Sequence, residues 1–175
     1  YVRSMVRNGA TSAVDIIDIL PAGLEYDGMV CVYSDAYYEH NGPCVTPQPA
    51  NAAPTVVKNS DGTTTLTWEN LPIQPAGINT LRMVAVKFYV KVGPTTQPGS
   101  YLNKGWSTSA DATPTQCSPV GQLVTDSDDL DHDGSTTDKL CYSTAAQIVR
   151  ASAVVDVIKW VKGNMGRNAL VSTGQ

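Results

Sequence analysis

The sequence predicts an all-β sandwich, and three observations carry that prediction. Glycine (14) and proline (11) punctuate the whole chain, with valine and threonine abundant between them, as pleated, half-buried surfaces prefer. Residues 81–92 alternate with period two: Val84, Val86, Phe88, Val90 and Val92 share one parity, and Lys87 and Lys91 fall on the other. That alternation places the valines on a core face. No helical period extends over ten or more residues. A single phenylalanine fits a thin core of valine and isoleucine between two sheets. Trp68, Trp106 and Trp160 are expected at core or seam positions.

The elements follow in order. Tyr1 to Arg7 reads as a strand, and Asn8-Gly9 supplies a turn. Ala13 to Ile19 is a second strand, ended by Leu20-Pro21-Ala22-Gly23, where proline fixes φ and glycine accepts a left-handed turn. Asp18 is expected to hydrogen-bond that turn's backbone. A third strand runs from Leu24 to Tyr33. A long irregular stretch, 34–54, comes next, and stretches of that length are usually functional or stapled. Val56 to Lys58 and Thr64 to Trp68 flank Asp61-Gly62, a hairpin signal. After the alternating strand 81–92, residues 94–99 form a loop and Ser100 to Ser107 a further strand. Asp111 to Gly134 is polar and loop-like. A β-branched run returns from Tyr142 to Val161, too long for one ordinary strand. Residues 1–150 are therefore expected to form the sandwich, and 151–175 an extended strand or linker.

The 175 residues suffice for one domain with its own core. Charged residues are 16% of the chain, below the usual ~25%, which argues against disorder and against a charged coiled coil. The net charge of -4 argues against general nucleic-acid binding, which needs clustered cations. No apolar run approaches the ~18 residues of a membrane span. The chain opens on Tyr1 inside a strand-like run, so a piece of something longer is expected.

Four cysteines, Cys31, Cys44, Cys117 and Cys141, have no C-x-x-C spacing. They allow three disulfide connectivities, or four buried thiols. The local pairing, Cys31 with Cys44 and Cys117 with Cys141, would staple two loop-rich segments. The even count and the Thr/Ser/Gly/Pro-rich surface favour an oxidising, extracellular setting.

Asp15-Ile16-Ile17-Asp18-Ile19-Leu20-Pro21-Ala22-Gly23-Leu24-Glu25-Tyr26 resembles the "v-v-D-x-L-P-x-G-l-x-y" signature of a bacterial surface repeat domain, the domain-of-unknown-function family numbered eleven. Val6-Arg7-Asn8-Gly9 resembles that family's "V-x-N-x-G" hairpin. Pro75-Ala76-Gly77-Ile78 resembles its entry to the central strand, and Gly99-Ser100-Tyr101-Leu102-Asn103 its "G-x-y-x-N" strand. The motifs keep family order over about residues 1–108. The resemblance implies an immunoglobulin-like Greek-key β-sandwich, repeated in secreted or cell-wall stalks, adhesins or envelope components without catalysis. The 34–54 insertion and the acidic loop depart from the plain pattern, and Val157-Ile158-Lys159-Trp160-Val161-Lys162-Gly163 resembles the segment that opens the next repeat in tandem arrays. Some related pilin domains join a lysine to an asparagine beside an acid. Asp18, Lys87 and Asn103 are the imaginable set here, although nothing in the sequence selects them.

The acidic loop contains D-x-D-x-D-G at Asp129, Asp131, Asp133 and Gly134, the first half of a calcium loop. Leu140 stands where an EF-hand needs its bidentate glutamate, so an EF-hand proper is not expected. A Ca2+ loop between strands, completed by Asp126 or Asp138, and a solvated acidic loop are the two readings. Five aspartates within eight residues repel one another, which favours a bound ion or strong solvation.

The C-terminal run offers a second chemistry. Val155, Val157, Lys159 and Val161 share one face of a strand; Val154, Ile158 and Trp160 share the other. A protruding apolar strand can complete an open sheet edge of a neighbouring copy, and head-to-tail repetition gives an open filament. The alternative to strand donation is a linker.

Catalytic readings find little purchase. The two histidines, His40 and His132, sit in the insertion and the acidic loop, and no G-x-S-x-G, H-E-x-x-H or phosphate-cradling loop is present. The sequence thus predicts a non-catalytic structural module of a prokaryotic cell surface. Its partners would be neighbouring copies of itself, with no nucleic acid and no membrane span. The alternative is an adhesin that binds a glycan or host protein through the 34–54 insertion, with Tyr33, Tyr37 and Tyr38 as the stacking residues.

Overall fold

The computed structural model describes residues 2–7, 12–34, 44–73, 81–109, 114, 117, 121–130 and 132–149. Among them are nine strands and no helix: β1 (Val2–Arg7), β2 (Ala13–Leu20), β3 (Leu24–Ser34), β4 (Thr55–Lys58), β5 (Thr64–Pro72), β6 (Leu81–Val92), β7 (Gly99–Ser109), β8 (Gln122–Thr125) and β9 (Lys139–Val149). They form two antiparallel sheets, one of three strands in the order β1-β6-β3 and one of six in the order β4-β5-β2-β7-β9-β8. The pairings β2–β5, β4–β5 and β3–β6 are those that strands B–E, D–E and C–F make in an immunoglobulin sandwich. The outer strands are exchanged relative to that order. Here β1 flanks β6, where a seventh strand would lie, and β7 flanks β2, where the first would lie.

The sheets pack face to face through one core. Val14, Ile16 and Leu20 of β2 and Leu66, Trp68 and Leu71 of β5 meet Leu24 and Val32 of β3 and Val84 and Val86 of β6. Trp68, fully buried, lies with its ring centroid 5.3 Å from that of Phe88. Burying side chains of this size stabilises the fold by roughly 1.5–3 kcal/mol each. The β2–β5 register shifts between Val14 and Ile16. Opposite the shift Asn70 has φ of 54°, and its amide donates to Asp15 Oδ1 at 2.6 Å. The acid side chain thus supplies the acceptor that the interrupted ladder lacks.

The alternating strand ends its burial early. Val84 and Val86 are core residues and Phe88 packs against them, but Val90 and Val92 are 40% and 49% exposed. Parity still points them inward, and their β3 partners Leu24 and Tyr26 keep core contact; β1, however, ends at its Val2–Val86 pair, so beyond Val86 β6 has no strand on that side among the described residues. The turn between β2 and β3 is closed by Leu24 N donating to Pro21 O at 3.0 Å. Gly23, at φ of 91°, takes a bond from Thr96 Oγ1 on its carbonyl at 2.7 Å, and a Cβ at this position would fall 2.6 Å from that hydroxyl. Only glycine fits both constraints. Two strand boundaries differ from the sequence expectation. β8 falls within the stretch expected to be loop, and β9 begins at Lys139 rather than Tyr142. Four residues beside an acidic run carry too little alternation to announce a strand; pairing with β9 makes it one.

Candidate functional site

The two flanks of the sandwich are finished differently. On the β3 side, residues 44–54 close it. Gln48 Oε1 accepts from Val32 N at 2.7 Å, while its Nε2 donates to Val32 O at 3.2 Å and to Val45 O at 2.5 Å. Val45 N adds a bond to Val32 O at 2.9 Å. One side-chain amide therefore takes the place of a strand on the β3 edge. The same segment reaches the other sheet. Asn51 Nδ2 donates to the carbonyls of Glu69 and Asn70 at 2.5 and 2.8 Å, and Trp68 Nε1 donates to Ala52 O at 3.0 Å. The Cys31–Cys44 disulfide fixes the start of the segment to β3.

The opposite flank has no such closure among the described residues. β1 is an edge strand of the three-stranded sheet, and that sheet stops short of β9 and β8. The face that β9 and β8 turn toward it carries Ser143 and Ala145, both exposed, and Leu123, which is 42% exposed. Asn103, Gly105 and Ser107 of β7 continue this shelf of small and polar side chains. An unpaired edge beside a shallow shelf is the geometry that accepts an added strand.

Asp18 lies on the inner face of β2 between the core residues Ile16 and Leu20, beside β7. It is fully buried, and Asn103 Nδ2 donates to its Oδ2 at 2.7 Å. This corrects the expectation that it binds the turn backbone; the parity of β2 points it inward beside Leu20. Burial pushes its pKa up to about 6, against the opposing pull of the Asn103 bond. Its Oδ1 and Asn103 Oδ1 are buried without hydrogen-bond partners. Of the imaginable lysine–asparagine–acid set, two members meet and the third does not. Lys87 has the parity opposite to Val86, which points it away from the core.

The acidic loop folds onto the outer face of the six-stranded sheet. Asp126, 1% exposed, accepts Leu130 N on Oδ2 at 2.8 Å. Asp129 Oδ1 accepts Gly134 N at 3.1 Å, and Asp133 Oδ1 accepts Ser135 N at 2.6 Å. Asp138 joins Asp126 through its carbonyl, which accepts Asp126 N at 3.1 Å, and its Oδ1 is buried without a hydrogen-bond partner. His132 Nδ1 lies 3.3 Å from Glu69 Oε1, tying the loop to β5. Among the described residues no group of three or more His, Cys, Asp or Glu is placed to hold a metal ion. Asp131, central to the calcium pattern, lies outside the described residues. The backbone bonds of Asp129 and Asp133 hold the loop from within.

The cysteines form the local pairs, Cys31–Cys44 and Cys117–Cys141, and none is free. Two disulfides fit an oxidising compartment, and no helix among the described residues is long and apolar enough to cross a membrane. The strand-donation residues Val154, Val155, Val157, Ile158, Trp160 and Val161 lie outside the described residues, as do Tyr37, Tyr38 and His40 of the insertion.

Two features had no clear sequence signal. Gln48 is one amide in a Pro/Asn/Ala-rich stretch, and only folding sets it against Val32. Trp106 and Tyr142 are cross-strand partners with ring centroids 5.0 Å apart. Together with Val124, Leu130 and the acidic loop they line a cavity of about 240 Å³. Both rings stand at the same parity as Ile17 on the outer face. The pairing of Trp106 with Tyr142 depends on the β7–β9 register, which sequence does not give. Comparisons with family models, curated proteins and solved structures return no match to this chain.

Proposed function

We propose that this chain is a non-catalytic structural module of a prokaryotic surface protein, and that copies of it join head to tail by strand addition. The observation that carries the proposal is the asymmetry of the three-stranded sheet. Its β3 edge is filled by Gln48 and Val45, whereas its β1 edge has no strand partner among the described residues. An incoming strand would take the β1 edge and cover the shelf of Asn103, Gly105, Ser107, Ser143 and Ala145. The donor is the alternating run Val154, Val155, Val157, Ile158, Trp160 and Val161. Main-chain bonds would supply affinity and the alternate side chains register. The resemblance of residues 1–108 to the surface repeat family supports the setting, and the two disulfides are consistent with it. The described part of the 34–54 insertion closes its own protomer's flank, which favours strand addition over recognition of a glycan or host protein by that segment.

The test compares the full chain with its Val157→Pro variant by negative-stain electron microscopy and light scattering, each with and without a calcium chelator. Proline removes a ladder donor in the donated strand and lies outside the described sandwich. Filaments from the native chain and single subunits from the variant, with equal melting temperatures, are expected. A native chain that stays monomeric at all concentrations overturns the proposal. Dissolution by chelator alone would assign the Asp126–Asp138 loop a calcium-dependent part in assembly.

A further inference from the structure

The cavity beside the acidic loop belongs to neither the core nor the shelf. Its floor is Trp106 and Tyr142, whose ring planes are tilted by 38°; Val124 and Leu130 add apolar wall; Thr125, Asp126, Ser127 and Asp128 complete the lining. Its charged members are two carboxylates, one buried (Asp126) and one at the exposed rim (Asp128). The surrounding segment 126–138 holds six aspartates and no lysine or arginine. Lys139, which follows it, is engaged by the Thr125 hydroxyl. Aromatic faces and carboxylates at one opening favour a cation with an apolar stem, because the ring faces attract positive charge and the methylenes bury against them. At about 240 Å³ the cavity is smaller than the roughly 300–1,000 Å³ of drug-sized sites. That suits one side chain.

The chain itself offers such a group. Residues 150–175 carry Arg150, Lys159, Lys162 and Arg167 against a single acid, Asp156. The described chain leaves β9 far from the cavity: Tyr142 pairs with Trp106, while Val149 pairs with Gly99. Seven residues of strand separate the two, about 24 Å at the ordinary rise. Val149, which the basic tail follows in sequence, thus lies at the end of β9 away from the acidic opening, the arrangement that head-to-tail contact requires. Lys162 comes directly after the run that would be donated as a strand, and Arg167 follows five residues after Lys162.

We infer that the Trp106–Tyr142 cavity receives a basic side chain, Lys162 or Arg167, from the C-terminal segment of a second copy of this chain. This rests on the head-to-tail reading and adds an electrostatic latch to it. The opposite charges would also speed encounter and make association weaken with added salt.

Sedimentation of the full chain over a concentration series tests it, using Trp106→Ala, Asp128→Lys, and a tail variant with Lys162→Glu and Arg167→Glu. Circular dichroism checks that each is folded. Each variant is expected to weaken self-association by roughly tenfold, the scale of one desolvated cation–aromatic contact. Mixing the Asp128→Lys chain with the acidic-tail chain is expected to restore association, since the swapped charges attract. If Val157→Pro abolishes association while Trp106→Ala and Asp128→Lys leave it unchanged, strand addition stands and the latch is overturned. Failure of the mixture to associate also overturns it. Loss of all concentration dependence, with the tail variant altering only Trp106 fluorescence in a monomer, would place the tail in its own chain's cavity and overturn the inter-copy inference.

Discussion

The two flanks of this sandwich solve the same problem by different means. Both present the rim of a three-stranded sheet facing a six-stranded one. On the β3 side eleven residues, 44–54, bring an amide, a disulfide and an alanine carbonyl to bear on Val32, Cys31 and Trp68. On the β1 side the larger sheet continues past its cover, and its stability comes from elsewhere. There Ile17 and Leu140 are buried on the outer face with Trp106 and Tyr142 beside them, and the Cys117–Cys141 bridge pins the strand below. A single strand, β2, serves both regimes, with Val14, Ile16 and Leu20 turned to the main core and Ile17 to the outer face. The comparison teaches that edge protection is local. One flank is closed with a few hydrogen bonds, while the other has no strand partner among the described residues.

The strongest way to break this contrast is to remove the anchor of the closed flank. Trp68→Ala empties the core and orphans the Ala52 carbonyl; a loss of about 3–5 kcal/mol in denaturant unfolding is expected. Trp106→Ala, on a half-open surface, should cost no more than about 1–2 kcal/mol by the same measurement. Next in size is the bridge of the open half. Replacing Cys117 and Cys141 by serine reopens a 24-residue loop, with an expected loss of about 3.5 kcal/mol from chain entropy alone.

Asp18, which links the core strand β2 to Asn103 on the shelf of β7, sharpens the comparison through pH. Its pKa rises from 3.8 unfolded to about 6 folded. The folded state therefore binds its proton more tightly. The stabilisation is complete below about pH 4 and is lost as pH climbs through 6, at most about 3 kcal/mol. Asp18→Asn should flatten the stability profile between pH 4 and 6 and raise stability above it, as read by thermal melts across that range. An unchanged slope would mean that Asp18 titrates as it does in the unfolded chain. The smallest expected effect is at the closed edge. Gln48→Ala leaves Val32 N without its partner, costing about 1–2 kcal/mol, and should raise side-by-side association in light scattering.

The strands were legible wherever a chemical rule acts over a few residues. Alternation in 81–92, Asp61-Gly62 between β4 and β5, and Pro21 with Gly23 after β2 each announce themselves locally. Burial at Val90 and Val92 was not legible, because parity says which side a residue faces and not whether a neighbouring strand such as β1 runs that far. β8 was hidden for the same reason: Gln122–Thr125 becomes a strand through its neighbour β9. The acidic loop was easily seen as a charge run, yet the bonds of Asp129 and Asp133 to Gly134 and Ser135 amides follow from the loop's positive-φ residues, Asp129, His132 and Gly134. Asp18 shows the deepest gap. A motif marked it as special, and only the β2–β7 register shows that Asn103 is what it meets.

The amide of Gln48 has a consequence for the arithmetic of growth. Because it occupies one rim of the smaller sheet, each subunit under the strand-addition proposal has one acceptor and one donor, a valence of two. Units of that kind make unbranched chains whose length is set by the ratio of growing ends to stoppers. A free peptide of residues 150–175 would act as such a stopper, shortening the chains in proportion to its amount. Opening the second rim by changing Gln48 would raise the valence to three and make threads branch, while the single donor per subunit keeps the product a tree rather than a network.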